Sequence, residues 1–90
     1  MRILGTIQNK EFKITVFTWN ERYIAKFEAG AFEQVYKFPA GLFENWEDMG
    51  KLFDDRFMEN VRLRFTQMVA DCETSYKRFS ESQENKNAPL

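Results

Sequence analysis

The chain has 90 residues, enough for one small domain. Its 13 Lys and Arg stand against 14 Asp and Glu, a net charge of −1, which argues against avid sequence-independent binding of a polyanion. With no His and a single Cys, the composition excludes a His-dependent nucleophile relay, a zinc site built from His or several Cys, and an intramolecular disulfide.

The N-terminal residues Met1-Arg2-Ile3-Leu4-Gly5-Thr6 are followed by no long apolar run. They do not read as a secretory leader, and no stretch reaches the ~18 apolar residues of a membrane span. The reducing cytoplasm is the expected compartment.

The first 38 residues alternate between apolar and polar and are punctuated by turns. Residues 2–8 predict a strand, with Asn9-Lys10 as a tight turn. Residues 12–19 (FKITVFTW) are β-branched and aromatic, the strongest strand signal in the chain. Asn20-Glu21 predicts a two-residue turn into a third strand, 22–29. Gly30 leads into a fourth, 32–38, closed by Pro39. Short links make these strands an antiparallel meander.

Two-residue turns predict the pairs Ile7–Phe12, Gly5–Ile14 and Ile3–Val16, then Val16–Ala25, Ile14–Phe27, Ala25–Tyr36 and Tyr23–Phe38. Period-two alternation puts all of them on one face, the expected core, with Gln34 as one polar intruder opposite Phe27. A slip of one residue would substitute Lys13, Lys26 and Glu33, so the phase is strongly specified.

From Asn45 the period becomes helical. Asn45 is a suitable N-cap, and Glu47 and Asp48 sit in the first turn, where the helix dipole favours negative charge. Apolar residues recur at Trp46, Met49, Phe53, Phe57, Val61, Phe65, Met68, Cys72, Tyr76 and Phe79, in steps of three and four. Some 35 helical residues would reach about 50 Å, while a seven-residue strand spans about 23 Å. Either the helix breaks, at Asp54-Asp55, or its overhang packs on another protomer; a break after a short first helix is expected. Residues 80–90 (SESQENKNAPL) are polar and aperiodic, and disorder is predicted there.

The fold class predicted is therefore α+β: a four-stranded antiparallel meander followed by one long or broken C-terminal helix on one sheet face, with residues 1–79 as a single domain. The expected core comprises Ile3, Ile7, Phe12, Ile14, Val16, Tyr23, Phe27, Tyr36, Phe38, Phe53, Phe57, Val61, Phe65, Met68 and Cys72.

The other sheet face is the candidate interaction surface. In this register it carries Leu4, Lys13, Phe17, Trp19, Arg22, Ile24, Lys26, Val35 and Lys37, together with Arg2, Thr6, Thr15, Glu28 and Glu33. It is too apolar for a fully solvated face and too charged for a core. A homodimer contact centred on Phe17, Ile24 and Leu4 would use the apolar patch. A single-stranded nucleic-acid platform would use Phe17 and Trp19 for stacking and Lys13, Arg22, Lys26 and Lys37 for phosphates. An ordinary sheet surface with apolar scatter is the plain alternative.

Glu44, Glu47, Asp48, Asp54 and Asp55 read as helix caps and solvated positions, since adjacent helical carboxylates point about 100° apart. Cys72, in the apolar stripe, reads as a buried structural thiol. No cofactor or metal is expected.

The strand ending Trp19-Asn20-Glu21-Arg22-Tyr23, followed by Glu33-Gln34-Val35-Tyr36-Lys37-Phe38 and a helix with Phe and Met, resembles a family of short uncharacterised bacterial proteins over residues 12–68. That resemblance implies no activity. In the order of its elements the chain is similar to whirly and p15-type coactivator modules, dimers that bind single-stranded DNA, although it lacks a basic tail. The expected function is a small non-catalytic, homodimeric interaction protein, with weak single-stranded nucleic-acid binding as the alternative.

Overall fold

A computed structural model describes the chain over residues 1–87, and its side chains over residues 1–84. Four strands, β1 (Arg2–Ile7), β2 (Lys13–Trp19), β3 (Arg22–Ala29) and β4 (Phe32–Pro39), form an antiparallel sheet in the order 1-2-3-4. A 3₁₀ turn (Ala40–Leu42), the short helix α1 (Trp46–Met49), a second 3₁₀ turn (Gly50–Leu52) and the long helix α2 (Asp55–Asn87) follow. The class is α+β, as the patterning predicts.

The two inner hairpins have the predicted register. Val16 pairs with Ala25, Ile14 with Phe27, Ala25 with Tyr36 and Tyr23 with Phe38. Asn20 and Glu21 both take positive φ, 51° and 60°, the backbone of the type I′ turn that matches strand twist. The Glu21 carbonyl also accepts from the Ala40 N–H at 3.0 Å, tying this turn to the chain leaving β4. Gly30, at φ 59°, starts the other turn.

β1 departs from the expected register. Ile7 pairs with Ile14 and Gly5 with Val16, and the register shifts between Ile3 and Gly5. Two causes act together. The connection between β1 and β2 is longer than a tight turn, because the Asn9 side chain accepts from the N–H groups of Glu11 (2.8 Å) and Phe12 (3.0 Å) and holds an open loop. Leu4 then enters as an extra residue, a β-bulge that reverses the side-chain phase beyond it. Ile3 therefore lies opposite Phe17 and is 64% exposed, so it is not a core residue. Arg2, opposite Thr18, leaves the face on which it was expected.

The helical region breaks where the sequence suggests. Asn45 caps α1 through its side chain, which accepts from the Asp48 N–H at 2.8 Å. Phe53 leaves helical geometry at φ −89°, ψ 60°. Asp54 then caps α2, its carboxylate accepting from the Phe57 N–H at 2.9 Å. α1 lies over β1: the Trp46 ring sits where a Cβ on Gly5 would come within 2.9 Å of it, and Ile7 reaches Gly50.

α2 runs antiparallel to β4, and the two elements keep step. Four helical residues rise ~6.0 Å and two strand residues ~6.7 Å, so successive helix turns meet successive inward strand positions. Phe53 packs on Phe38 (ring centroids 6.2 Å apart) and Phe57 on Tyr36 (5.2 Å). The Gln34 amide donates to the Val61 carbonyl at 2.9 Å. Phe27, fully buried, is the hub of the aromatic layer, edge-on to Tyr36 and Phe53. Phe65 closes the far end on Phe12 at 5.1 Å.

Beyond Met68 the sheet no longer lies beneath α2. Cys72, expected in the core, is exposed for this reason. The helix continues through residues 80–87, where the sequence predicts disorder. Its Glu, Gln, Lys and Ser residues lack the Gly or Pro that would stop a helix. Residues 88–90 of the predicted tail lie outside the described residues.

Candidate interaction surface

The outer sheet face is built by the residues of β2, β3 and β4 that alternate with the core. Lys13 pairs with Glu28, Thr15 with Lys26, Phe17 with Ile24 and Trp19 with Arg22; Ile24 in turn pairs with Lys37 and Lys26 with Val35. Five of the nine expected surface residues, Phe17, Ile24, Lys26, Val35 and Lys37, converge with Met1 on a shallow depression of about 300 Å³. Lys13, Trp19 and Arg22 lie outside it, and Leu4 is half-buried at the bulge.

The floor of this depression is already dry. Ile24, which lines it, is 3% exposed, and Thr15, on the same face but outside it, is 7% exposed, although both face away from the helices. Long neighbours cover them. The Lys26 ammonium stands 5.3 Å from the centroid of the Phe17 ring and 3.8 Å from the Glu28 carboxylate. A cation over an aromatic face is attracted by the ring quadrupole, so Lys26 caps the surface on which a base would stack. The apolar groups left open on this side are Val35, Ile3, Met1 and, at the β2–β3 turn, Trp19. Met1 and Ile3 are not in the expected set; the one sequence cue for the bulge that carries Ile3 to this face is Gly5, an isolated glycine inside the strand.

Two further ion pairs lie away from this face. Arg62 binds Glu11 through two hydrogen bonds, one from Nε to Oε2 at 2.7 Å and one from Nη2 to Oε1, locking the β1–β2 loop to α2. The Arg62 hydrogen bond holds the Glu11 carboxyl below its ordinary value of 4.5. Asp48 pairs with Lys51 at 3.2 Å.

A second apolar surface lies on α2. Val69, Tyr76 and Phe79 are 39%, 72% and 59% exposed. Tyr76 and Phe79 follow the buried Val61 and Phe65 in steps of three and four, on the side of the helix that faces the sheet further up. The apolar steps through Cys72, Tyr76 and Phe79 are legible in the sequence; that they stand exposed, with no described strand beneath them, is a tertiary fact.

No helix among the described residues is long and apolar enough to cross a membrane. The fold and surface together define a small α+β domain with an open sheet face and a partly unsupported helix. Comparison with known protein families, curated proteins and solved structures finds no match to this chain.

Proposed function

We propose that the protein is a small non-catalytic interaction protein that works as a homodimer in the cytoplasm. The observation that carries the reading is the second half of α2, an amphipathic helix whose apolar stripe continues in phase past the end of the sheet that covers its first half. A surface helix is stabilised mainly by packing of its apolar face, and the second half of this one has an apolar face that no described strand covers. Three of the acidic groups, Asp54, Glu11 and Asp48, act as a helix cap and as ion-pair partners, and these structural roles support the reading. Sedimentation velocity across the micromolar range is expected to show a species of twice the chain mass that dissociates on dilution. A monomer at high micromolar concentration would remove the homodimer.

Weak binding of single-stranded nucleic acid is a second reading, favoured by the exposed Trp19 beside Arg22 on a lysine-bearing face. Trp46 is packed on Gly5, so a fluorescence change on adding oligo-dT at low salt would report Trp19. It should vanish in Trp19→Phe and weaken as salt is raised. No change at low salt rejects this reading.

A further inference from the structure

We infer that the unsupported half of α2 is the dimer seam: it pairs antiparallel with the same segment of a second copy, and Tyr76 and Phe79 of both copies pack around a two-fold axis. This rests on the homodimer reading above and specifies its surface and geometry.

The supported and unsupported parts of the helix have different requirements. Through Met68 the stripe is met by β4, Phe12 and Phe27. From Val69 onward some 19 residues of helix, about 28 Å long, are held among the described residues by bonds within the helix alone, such as those from Thr74 to the Ala70 carbonyl and from Arg78 to Ser75. The segment continues a helix already nucleated on the sheet, but its apolar face lacks the packing from which helices in proteins draw most of their stability. The apolar positions there keep a spacing of seven: Cys72 and Phe79, continuing from the buried Phe65, and Val69 and Tyr76.

Steric and area arguments choose the partner and the direction. In a parallel pair both sheets would lie at the same end, on the inward sides of their helices, and would collide. In an antiparallel pair that overlaps the two free segments end to end, each sheet stays beyond the tip of the other helix. The midpoint of residues 69–87 falls beside Tyr76 and Phe79, which places the two largest exposed side chains of the segment at the axis. There each Tyr76 meets the other copy's Phe79, a closed isologous contact.

Aromatic side chains carry ~150–250 Å² each. Tyr76 and Phe79, at their observed exposures, with Val69, offer on the order of 300 Å² of apolar surface per copy. Homodimer interfaces are about two-thirds apolar, so closing the seam would bury about 900 Å² in all, close to the ~1,000 Å² at which specific interfaces begin. An area just under that threshold fits a weak, reversible dimer rather than a permanent one, anchored by the aromatic centre.

The test compares wild type with two variants on the full chain. Tyr76→Lys combined with Phe79→Lys is expected to weaken dimerisation more than about tenfold. Val35→Lys, on the outer sheet face, should leave it unchanged. Both variants change exposed residues, and near-ultraviolet circular dichroism of the aromatic core reports that the monomer stays folded. Direction is read separately from nitroxide labels on Thr66→Cys in a Cys72→Ser background: about 40 Å between labels for the antiparallel seam, within about 25 Å for a parallel one.

A dimer unmoved by the Tyr76/Phe79 change but broken by Val35→Lys, or a label distance within ~25 Å, overturns the seam and leaves the homodimer standing. An open-ended mass series overturns it too, since a helix docked on another copy's sheet would not close. A wild-type monomer at every concentration overturns the homodimer itself.

Discussion

Phe27 is where the two halves of the chain meet. It comes from the middle of a strand whose alternation points it inward, and it is completely buried against rings from β4 and from both sides of the break before α2: Tyr36 at 5.5 Å, Phe53 at 5.0 Å and Phe57 at 6.1 Å. Phe27→Ala would leave a cavity that three rings cannot all collapse into. The expected cost is about 3–5 kcal/mol in urea unfolding, a large share of a small domain's stability. Gln34 is polar but no misfit among these rings, because its amide donates to the Val61 carbonyl and its oxygen accepts from the Tyr36 hydroxyl at 2.6 Å. Buried polar groups are tolerated when both ends are satisfied. Glu11 acts at the surface. Its folded pKa is lowered by Arg62, so its ion pair stabilises the fold above the ordinary carboxylate value and loses that contribution as pH falls through the lowered one. The pair is solvent-exposed, so the effect is small. Glu11→Gln should lower the melting temperature slightly at neutral pH, and the difference from wild type should close at strongly acidic pH. A difference that persists there would assign the effect to loop packing instead.

At the scale of elements, the break before α2 sets the angle at which the helix crosses the sheet. Asn45 and Asp54 are each followed three residues later by a backbone N–H that they cap, and between them the chain turns from β1 toward β4. Asp54→Ala is expected to cost about 0.5–2 kcal/mol, read as a shift in the urea midpoint. No shift would mean that the Phe53 turn is held by its packing alone. Past the break, the near match between one helix turn and two strand residues brings Phe53, Phe57 and Val61 onto Phe38, Tyr36 and Gln34 in order. The match ends when β4 ends, and this, rather than any change in the helix's own sequence, is why the stripe emerges into solvent.

For the whole molecule the consequence is shape. The extents are 67 × 28 × 18 Å, far longer than a sheet of six- to eight-residue strands requires, because a 33-residue helix rests on an eight-residue strand. If association covers the free segment, the melting temperature should rise with protein concentration across the micromolar range, as it must when a partner binds only the folded state. The Tyr76→Lys, Phe79→Lys variant should melt at one temperature at all concentrations. A concentration-independent wild type would mean that the overhang is carried without a partner.

The amino-acid sequence alone determined the meander, the phase of its three C-terminal strands, the caps at Asn45 and Asp54 and the aromatic core. These follow from local rules: a period of two or of 3.6, turn residues whose backbone preferences are their own, and side chains that reach a neighbouring N–H. Only the tertiary structure decided three further features. Leu4 adds one residue to β1 and turns Ile3 outward, a choice made by pairing with β2. Ile24, on the outer face, is dry between its long cross-strand neighbours Phe17 and Lys37, with no helix over it. Cys72, Tyr76 and Phe79 carry a core-like pattern yet face solvent, because a helix's periodicity records which side is apolar and not how far the surface beneath it extends.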